Sequence, residues 1–393
     1  MKITRVSATP VRIPVAKAPY NTVGAGSRVD WGGRRSRITP KRPEPCLDYV
    51  LVRIETDEGV TGLGEAQADI GFFGNTLEEV HAAVADYLGP QLVGRDPFDR
   101  EVILDLIDYR ENACARSGID LALHDLAGKA LGVPVSTLLG GVCRDRIEVA
   151  IEIAGGAPEE MAKACLTLIA QGVRAFKPKI GGAVEADLDR LVAIREAVGP
   201  DIALRADANQ GYNQKEAIRL CRLAERANVG LQLLEQPVAA WDLDGMAAVR
   251  RAVDTPIEAD ESCYSPHDAM QIVKREAADV LNVKLGKAGG LRHAKAVATI
   301  ASAAGLRCVV GTAFGLGPEV AAKLHLAAST LGIVDAVEFT ELALHSTLLA
   351  GPQATELALP LIDGCLPVPT GPGLGVELSE DDVERYRAAL TAG

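Results

Sequence analysis

From about residue 146 the chain repeats one unit: a short apolar run read as a strand, a loop, then an amphipathic helix. Eight strand ends follow in turn, EVAIEIA, AFKPKIG, IALRADAN, LQLLEQP, PIEADES, VLNVKLG, LRCVVGT and AVEFTE. Strands that alternate with helices pair in parallel, because each helix carries the chain back to the edge it left. The helix after IALRADAN shows the pattern: Ala217, Leu220, Cys221, Ala224 and Ala227 share one stripe, while Lys215, Glu216, Arg219, Arg222, Glu225 and Arg226 lie elsewhere. Parallel pairing leaves a closed barrel or an open doubly wound sheet. The spacing favours the barrel. Lys179, Asp207, Glu235, Asp260 and Lys284 stand at successive strand ends, 28, 28, 25 and 24 residues apart. In a barrel those ends form a ring round one mouth, where such folds place their chemistry.

The ring explains an oddity in AFKPKIG. Lys177 and Lys179 sit one residue apart in an otherwise apolar strand, so both side chains face the same way. Asp207, Glu235 and Asp260 bring three carboxylates from three consecutive strands, and like charges at one mouth repel unless a cation neutralises them. A hard divalent ion does so, and Mg²⁺ takes oxygen ligands while keeping positions open for water and substrate. The alternative is that each acid caps the helix that follows. Glutamate is a weak cap, and the lysines cap nothing. Lys177 and a nearby cation are both expected to push the Lys179 ammonium below its ordinary value of about 10.4 and so make it a base. With the acids between them, Lys179 and Lys284 fall on opposite sides of anything bound at the centre. Abstraction of the proton next to a carboxylate fits this set, because the enediolate it produces puts negative charge where a cation can hold it.

The first 65 or so residues alternate as strands, KITRVSATPVRIPV and DYVLVRIETDEGVTGLGEA, with TDEG as a turn. Helical patterns follow from Leu77 to about Leu131, with Ser117 or Asp120 as the expected start of the last helix. Sheet first and helices after make an α+β domain. Between its first strands runs an irregular loop of about residues 19–45, too long for a plain connection. A Pro/Gly-rich tail from about residue 351 is expected to return to this domain. The division is therefore 1–130, 131–350 and 351–393.

Charge and composition exclude other classes. The net charge of -12 disfavours nucleic acid or an acidic membrane as partner. No run reaches the roughly 18 apolar residues of a membrane span, and the N-terminus has no secretory pattern, so a cytoplasmic protein is expected. The eight cysteines form no CxxC pair and read as free thiols. GTAFGLG and GKAGG do not match a nucleotide fingerprint, although GTAFG is expected to border the site.

At this point the residues resemble a known family. GEAQ, SGIDLALHDLAGKALGVPVSTLLGG, KPKIG, DAN, EQP, ADES, VKLGKAGG, TEL and GPGLGV resemble the muconate-lactonizing group of the enolase superfamily, along nearly the whole chain. The resemblance implies a modified (β/α)7β TIM-like barrel with an α+β capping domain, Mg²⁺ (Mn²⁺ as substitute) on Asp207, Glu235 and Asp260, and Lys179 and Lys284 as the acid/base pair. It implies that Lys177 tunes Lys179 and contacts the substrate carboxylate, that Asn209 and Glu261 orient these groups, and that Thr312 and Phe314 border the substrate. The long loop, with Trp31, Arg28, Arg34, Arg35, Arg37, Lys41 and Arg42, would be the lid that sets specificity. A homo-oligomer acting on a small carboxylic acid is implied. The outcome stays open between racemisation or epimerisation, cycloisomerisation, and loss of water by a dehydratase; a non-catalytic metal-binding barrel is the alternative of another class.

Particular residues narrow this. His293 and His325 read as helix residues, so no histidine base follows the seventh strand. Phe314 and Gly315 stand where muconate cycloisomerases carry an acid, and EFTE lacks the paired acids with which dipeptide epimerases hold an ammonium group. Glu341 faces either a polar part of the substrate or a structural ion pair. Pro178, between the two lysines, donates no ladder hydrogen bond and is expected to disturb their alignment.

Overall fold

The computed structural model describes residues 1–15, 45–109 and 111–390. The expected lid, with Trp31 and its cations, lies outside the described residues.

An antiparallel sheet opens the chain: β1 (Ile3–Pro14), β2 (Cys46–Thr56) and β3 (Thr61–Ala68), in that order across the sheet. The TDEG turn joins β2 to β3, with Gly59 N donating to Thr56 O at 3.1 Å. Helices α1 (Leu77–Ala82), α2 (Arg100–Leu106) and α3 (Ala113–Leu131) follow, and the short α4 (Val135–Leu138) leads towards the barrel. α3 begins four residues before Ser117 and leaves it and Asp120 buried mid-helix. The expected cap was a misreading: Asp120 has another task. Its carboxylate accepts from the backbone N–H groups of Leu291 and Arg292, so it caps a helix of the other domain.

The barrel strands are β4 (Arg146–Ile153), β5 (Ala175–Pro178), β6 (Ala203–Leu204) with β7 (Ala206–Asp207), β8 (Leu234–Glu235), β9 (Ile257–Ala259), β10 (Val280–Val283), β11 (Arg307–Val310) and β12 (Val337–Glu338). Parallel ladders run β12-β4-β5-β6 and β7-β8-β9-β10-β11. A bridge between Lys179 and Asp207 joins the two on one side, and Cys308 N donating to Gly332 O leads round the other. Among the described residues a helix follows each of the first seven barrel strands: α5 (Pro158–Ile169), α6 (Val184–Val198), α7 (Gln214–Arg226), α8 (Leu243–Ala252), α9 (Pro266–Arg275), α10 (Leu285–Ala288) with α11 (Leu291–Ala303), and α12 (Gly317–Ala328). After β12 comes only the short α13 (Glu341–Leu344). This is a (β/α)7β barrel.

Pro178 explains why the third barrel strand is broken. Arg205 N donates to Phe176 O and Ile180 N to Asp207 O, but the rung between them needs an N–H that proline lacks. The ladder lapses at Arg205. Alignment of the lysines is nevertheless kept, because Lys179 N donates to Ile153 O at 2.9 Å on the other side.

In α7 the stripe Ala217, Leu220, Cys221 and Ala224 is buried, and Asn213 and Glu216 close a capping box. Ala227, expected on that stripe, is the exposed residue that ends the helix. The tail returns as β13 (Cys365–Pro367), antiparallel to β4, then lies on α3 through Leu374 N donating to Asp125 Oδ1 and on β1 through Ala388 N donating to Pro10 O. No helix among the described residues is long and apolar enough to cross a membrane. Cys114, Cys165, Cys221, Cys263 and Cys308 are buried thiols and Cys143 is exposed.

Candidate active site

Parallel pairing in register brings the polar strand ends side by side. Lys177 stands opposite Glu152 in β4, Asp207 opposite Glu235, and Glu235 opposite Glu258 in β9. Asp260 and Lys284 each lie at the next position beyond β9 and β10. All are buried; the most exposed, Lys179 and Lys284, keep 7% and 3% of their surface.

Each of the three carboxylates expected to hold the cation meets an ammonium. Lys179 Nζ lies 2.6 Å from Asp207 Oδ2 and 3.0 Å from Glu152 Oε1. Lys177 Nζ lies 2.6 Å from Glu338 Oε1, 2.8 Å from Glu235 Oε2 and 3.3 Å from Glu152 Oε1. Asp260 is gripped by Lys284 and Lys287, both at 2.6 Å. Asn282 donates to Glu235 Oε1 at 3.1 Å. Asn209 donates through its backbone to Asp207 and through its side chain to Glu261, the latter at 3.1 Å. Gln236 Oε1 accepts from the N–H groups of Asp260 and Ser262, bracing one strand end against the next.

These contacts reverse one expectation. Burial pushes the Lys179 ammonium down and Lys177 adds to that, but Asp207 and Glu152 outweigh both and hold the value up. At Lys284 burial is likewise outweighed, chiefly by Asp260. A like charge does act downward, as Coulomb's law requires; carboxylates at 2.6 to 3.0 Å act upward more strongly.

The donor set suits a hard cation. Seven carboxylates, Glu152, Asp207, Glu235, Glu258, Asp260, Glu261 and Glu338, crowd round four ammonium groups, Lys177, Lys179, Lys284 and Lys287. The lysines hold Glu152 and Asp260 below the usual carboxylate range, but burial wins at other acids of the set. Burial and then Asp207 push Glu235 well above the usual carboxylate range, and burial takes Glu258 to about 8 and Glu261 to about 7. Glu235 Oε2 makes no hydrogen bond of good geometry although Lys177 is close, and Glu261 Oε2 has none. Among the described residues no three such side chains are placed together to hold a metal ion; Asp207, Glu235 and Asp260 each pair with a lysine instead. Charge and oxygen chemistry nevertheless fit Mg²⁺ at Asp207, Glu235 and Asp260.

A small cavity opens onto this ring, lined by Glu152, Lys179, Asn209, Lys284, Thr312, Ala313 and Phe314 of the barrel and by Gln67, Asp69, Phe72 and Phe73 of the first domain. Phe314 has φ 70, a left-handed conformation uncommon for a bulky side chain, and it is pinned. Its carbonyl accepts from Tyr49 Oη and faces His345 Nε2 at 3.1 Å, and its N–H donates to Thr312 Oγ1. Glu341 is fully buried, ion-paired with Lys323 and accepting from Thr312 Oγ1 at 2.7 Å. Of its two open readings, the structure gives the ion pair. His325 lies within α12, and His293 lies in α11 beside Asp108, away from the ring.

Sequence reasoning missed Glu152, Glu338, Lys287 and Phe72. The first two were findable, since Glu152 and Glu338 are acids set inside the apolar runs EVAIEIA and AVEFTE, as Asp207 and Glu235 are in theirs. Lys287 stands in GKAGG, which reads as a tight loop, and Phe72 belongs to a different domain.

Comparison with known proteins finds relatives along most of the chain. The family described as "Enolase C-terminal domain-like" matches residues 160–382, and "Mandelate racemase / muconate lactonizing enzyme, N-terminal domain" matches residues 46–140. An N-succinyl-L-Arg/Lys racemase of Bacillus cereus is 33% identical over 389 residues, 98% of this chain and 97% of its own. A chloromuconate cycloisomerase of Cupriavidus pinatubonensis is 36% identical over 346 residues, 86% of this chain and 91% of its own. The crystal structure of a dipeptide epimerase from Enterococcus faecalis, complexed with Mg and the dipeptide L-Leu-L-Tyr, superposes with a TM-score of 0.84 at 30% identity, over 96% of this chain and 99% of that one.

Proposed function

Because the chain belongs to the mandelate racemase / muconate lactonizing enzyme family of the enolase superfamily, whose matched relatives are isomerases, we propose that it isomerises a small carboxylic acid through its α-proton. Lys179 and Lys284 are the acid/base pair, and Asp207, Glu235 and Asp260 hold Mg²⁺, with Mn²⁺ as a substitute. One observation carries this reading: the order of the strands round the barrel. Lys179 follows β5 and Lys284 follows β10, while the three acids come from β7, from β8 and from the position just past β9, all between them. A substrate centred on the acids therefore has an amine on each side.

The reaction follows from that placement. With Asp207 and Asp260 taken up by a divalent ion, Lys179 and Lys284 would lose the carboxylate charge that holds their protons. The neutral lysine on one side then takes the α-proton, and the C–H electron pair moves into the carboxylate to give an enediolate. Mg²⁺ held by Asp207, Glu235 and Asp260 would supply positive charge where the carboxylate becomes more negative. The ammonium on the other side then gives its proton to the opposite face of the same carbon, which inverts it. General acid–base groups so placed contribute roughly 10²- to 10⁴-fold in rate. Lys177, in contact with Glu152, Glu235 and Glu338, fixes the charges around Lys179, and Asn209 with Glu261 orients Asp207.

The test is incubation of both hands of N-acyl amino acids, dipeptides and hydroxy acids with the protein and Mg²⁺ in D₂O. Deuterium at the α-carbon together with inverted product is expected from at least one class. A substrate that loses the mass of water without inversion would move the assignment to elimination, and a panel with no exchange at all would overturn it.

A further inference from the structure

The two amines flanking the carboxylates have different neighbours. Lys179 Nζ is shared between Asp207 and Glu152. Glu152 has no part in the proposed metal set, yet it is 1% exposed, lines the cavity, and has one oxygen, Oε2, buried without a hydrogen bond. Its place is fixed from two sides, by pairing with Lys177 in the β4–β5 ladder and by its N–H donating to Thr340 Oγ1 at 2.9 Å.

Lys284 Nζ touches Asp260 on one side, and on another it stands 4.6 Å from the centroid of the Phe72 ring. An ammonium over an aromatic face is attracted by the negative face of the ring. Phe72 belongs to the first domain and is held by both. Asp69 Oδ1 accepts from Gly71 N and Phe72 N, which forms the turn; Phe73 packs edge-on against Phe72 at 4.8 Å. From the barrel, Tyr264 Oη donates to Phe72 O at 3.2 Å. The turn seats closely because residue 286, two beyond Lys284, is glycine: a Cβ there would lie 3.1 Å from Phe73 Cζ. Among the described residues Lys179 has no such ring, and Lys284 has no ion pair besides Asp260.

We propose that Glu152 and Phe72 are positioning residues serving one amine each, Glu152 fixing Lys179 and Phe72 fixing Lys284, so that the two faces of the site are set by different parts of the fold. The inference rests on the proposed acid/base roles of the lysines. Its consequence is stereochemical: the barrel alone governs proton transfer on one face, and the capping domain takes part in governing the other.

Inversion rates do not separate the faces, because the equilibrium constant ties the forward and reverse rates together. Exchange with retention does, since each hand loses and regains its α-proton through one lysine only. The measurement is loss of the α-proton NMR signal, with retained configuration, from N-succinyl-L-arginine and N-succinyl-D-arginine, and from L-Ala-L-Glu and L-Ala-D-Glu, in D₂O with Mg²⁺. Phe72→Leu is expected to slow, by tenfold or more, the hand that Lys284→Ala abolishes, and the other hand by less than threefold. Glu152→Gln is expected to do the reverse, slowing the hand that Lys179→Ala abolishes. Phe72→Tyr, which keeps the ring face, should stay within threefold of wild type for both hands. If Glu152→Gln does not fold, Glu152→Asp reads the same asymmetry. Similar slowing of both hands by either variant, or of neither, overturns the assignment. A wild type that exchanges neither hand of any probe overturns the acid/base reading itself, and this inference with it.

Discussion

Glu319 is buried near Lys323 and Glu341 with one oxygen left without a hydrogen bond, and burial pushes its carboxyl up to about 7 from an ordinary 4.5. An acid whose folded-state value is raised stabilises the fold below its unfolded value, and that contribution is lost as pH rises through about 7. The difference amounts to about 3 kcal/mol. Glu319→Gln, the neutral isostere, should match wild type in urea unfolding at pH 5 and exceed it at pH 8.5; equal slopes of stability against pH would contradict this. In the ring, Asp207→Asn, Glu235→Gln or Asp260→Asn should each weaken Mg²⁺ at least tenfold in calorimetric titration, because each removes one of three oxygen charges. Residues at strand ends were legible because period 2 and regular spacing betray them. Partners that meet only in space, such as Phe72 with Lys284, leave no such trace.

The loops after β5 and β7 touch backbone to backbone. A Cβ at residue 211 would stand 2.3 Å from Gly181 O and 2.5 Å from Gly181 Cα, so only glycine lets Lys179 and Asp207 lie side by side. Asp187 reinforces the first loop, accepting from Gly181 N, Gly182 N and Tyr212 Oη. Gly211→Ala should force the loops apart, costing about 1–3 kcal/mol of stability in thermal or urea unfolding and lowering Mg²⁺ affinity, whereas an ordinary surface loop would absorb the methyl group unchanged. Element type was legible where apolar period and turn chemistry agreed, as in α7. It failed at Ser117 and Asp120, where a good capping residue serves the N-terminus of α11 from within α3. Pro178 was visible in the sequence, but its effect was misplaced: it breaks the ladder towards Arg205 and leaves the lysines aligned.

Two domains are joined here by carboxylates of the first reaching backbone amides of the second. Glu65, in β3, accepts from Leu316 N at 2.7 Å and Glu319 N at 3.0 Å, at the start of α12. Asp120 does the same for α11, and Asp125 ties Leu63 to Leu374 of the tail. Glu65→Ala leaves two buried amides without partners, at a cost of about 1–3 kcal/mol in unfolding, and should loosen the Thr312–Phe314 segment that borders the cavity. None of these long-range pairs has a periodic signature, so the joint between domains was hidden while the order of sheet, helices and repeats was plain. What the joint holds together is a ring of strand ends in which Lys179 and Lys284 stand on either side of Asp207, Glu235 and Asp260 in strand order. The most direct test is α-proton exchange with retention by Lys179→Ala and Lys284→Ala, on both hands of one turned-over acid in D₂O with Mg²⁺. The account predicts that each variant abolishes exchange of one hand, a different one, and keeps the other. Loss of the same hand in both, or full exchange of both hands in either, would contradict it.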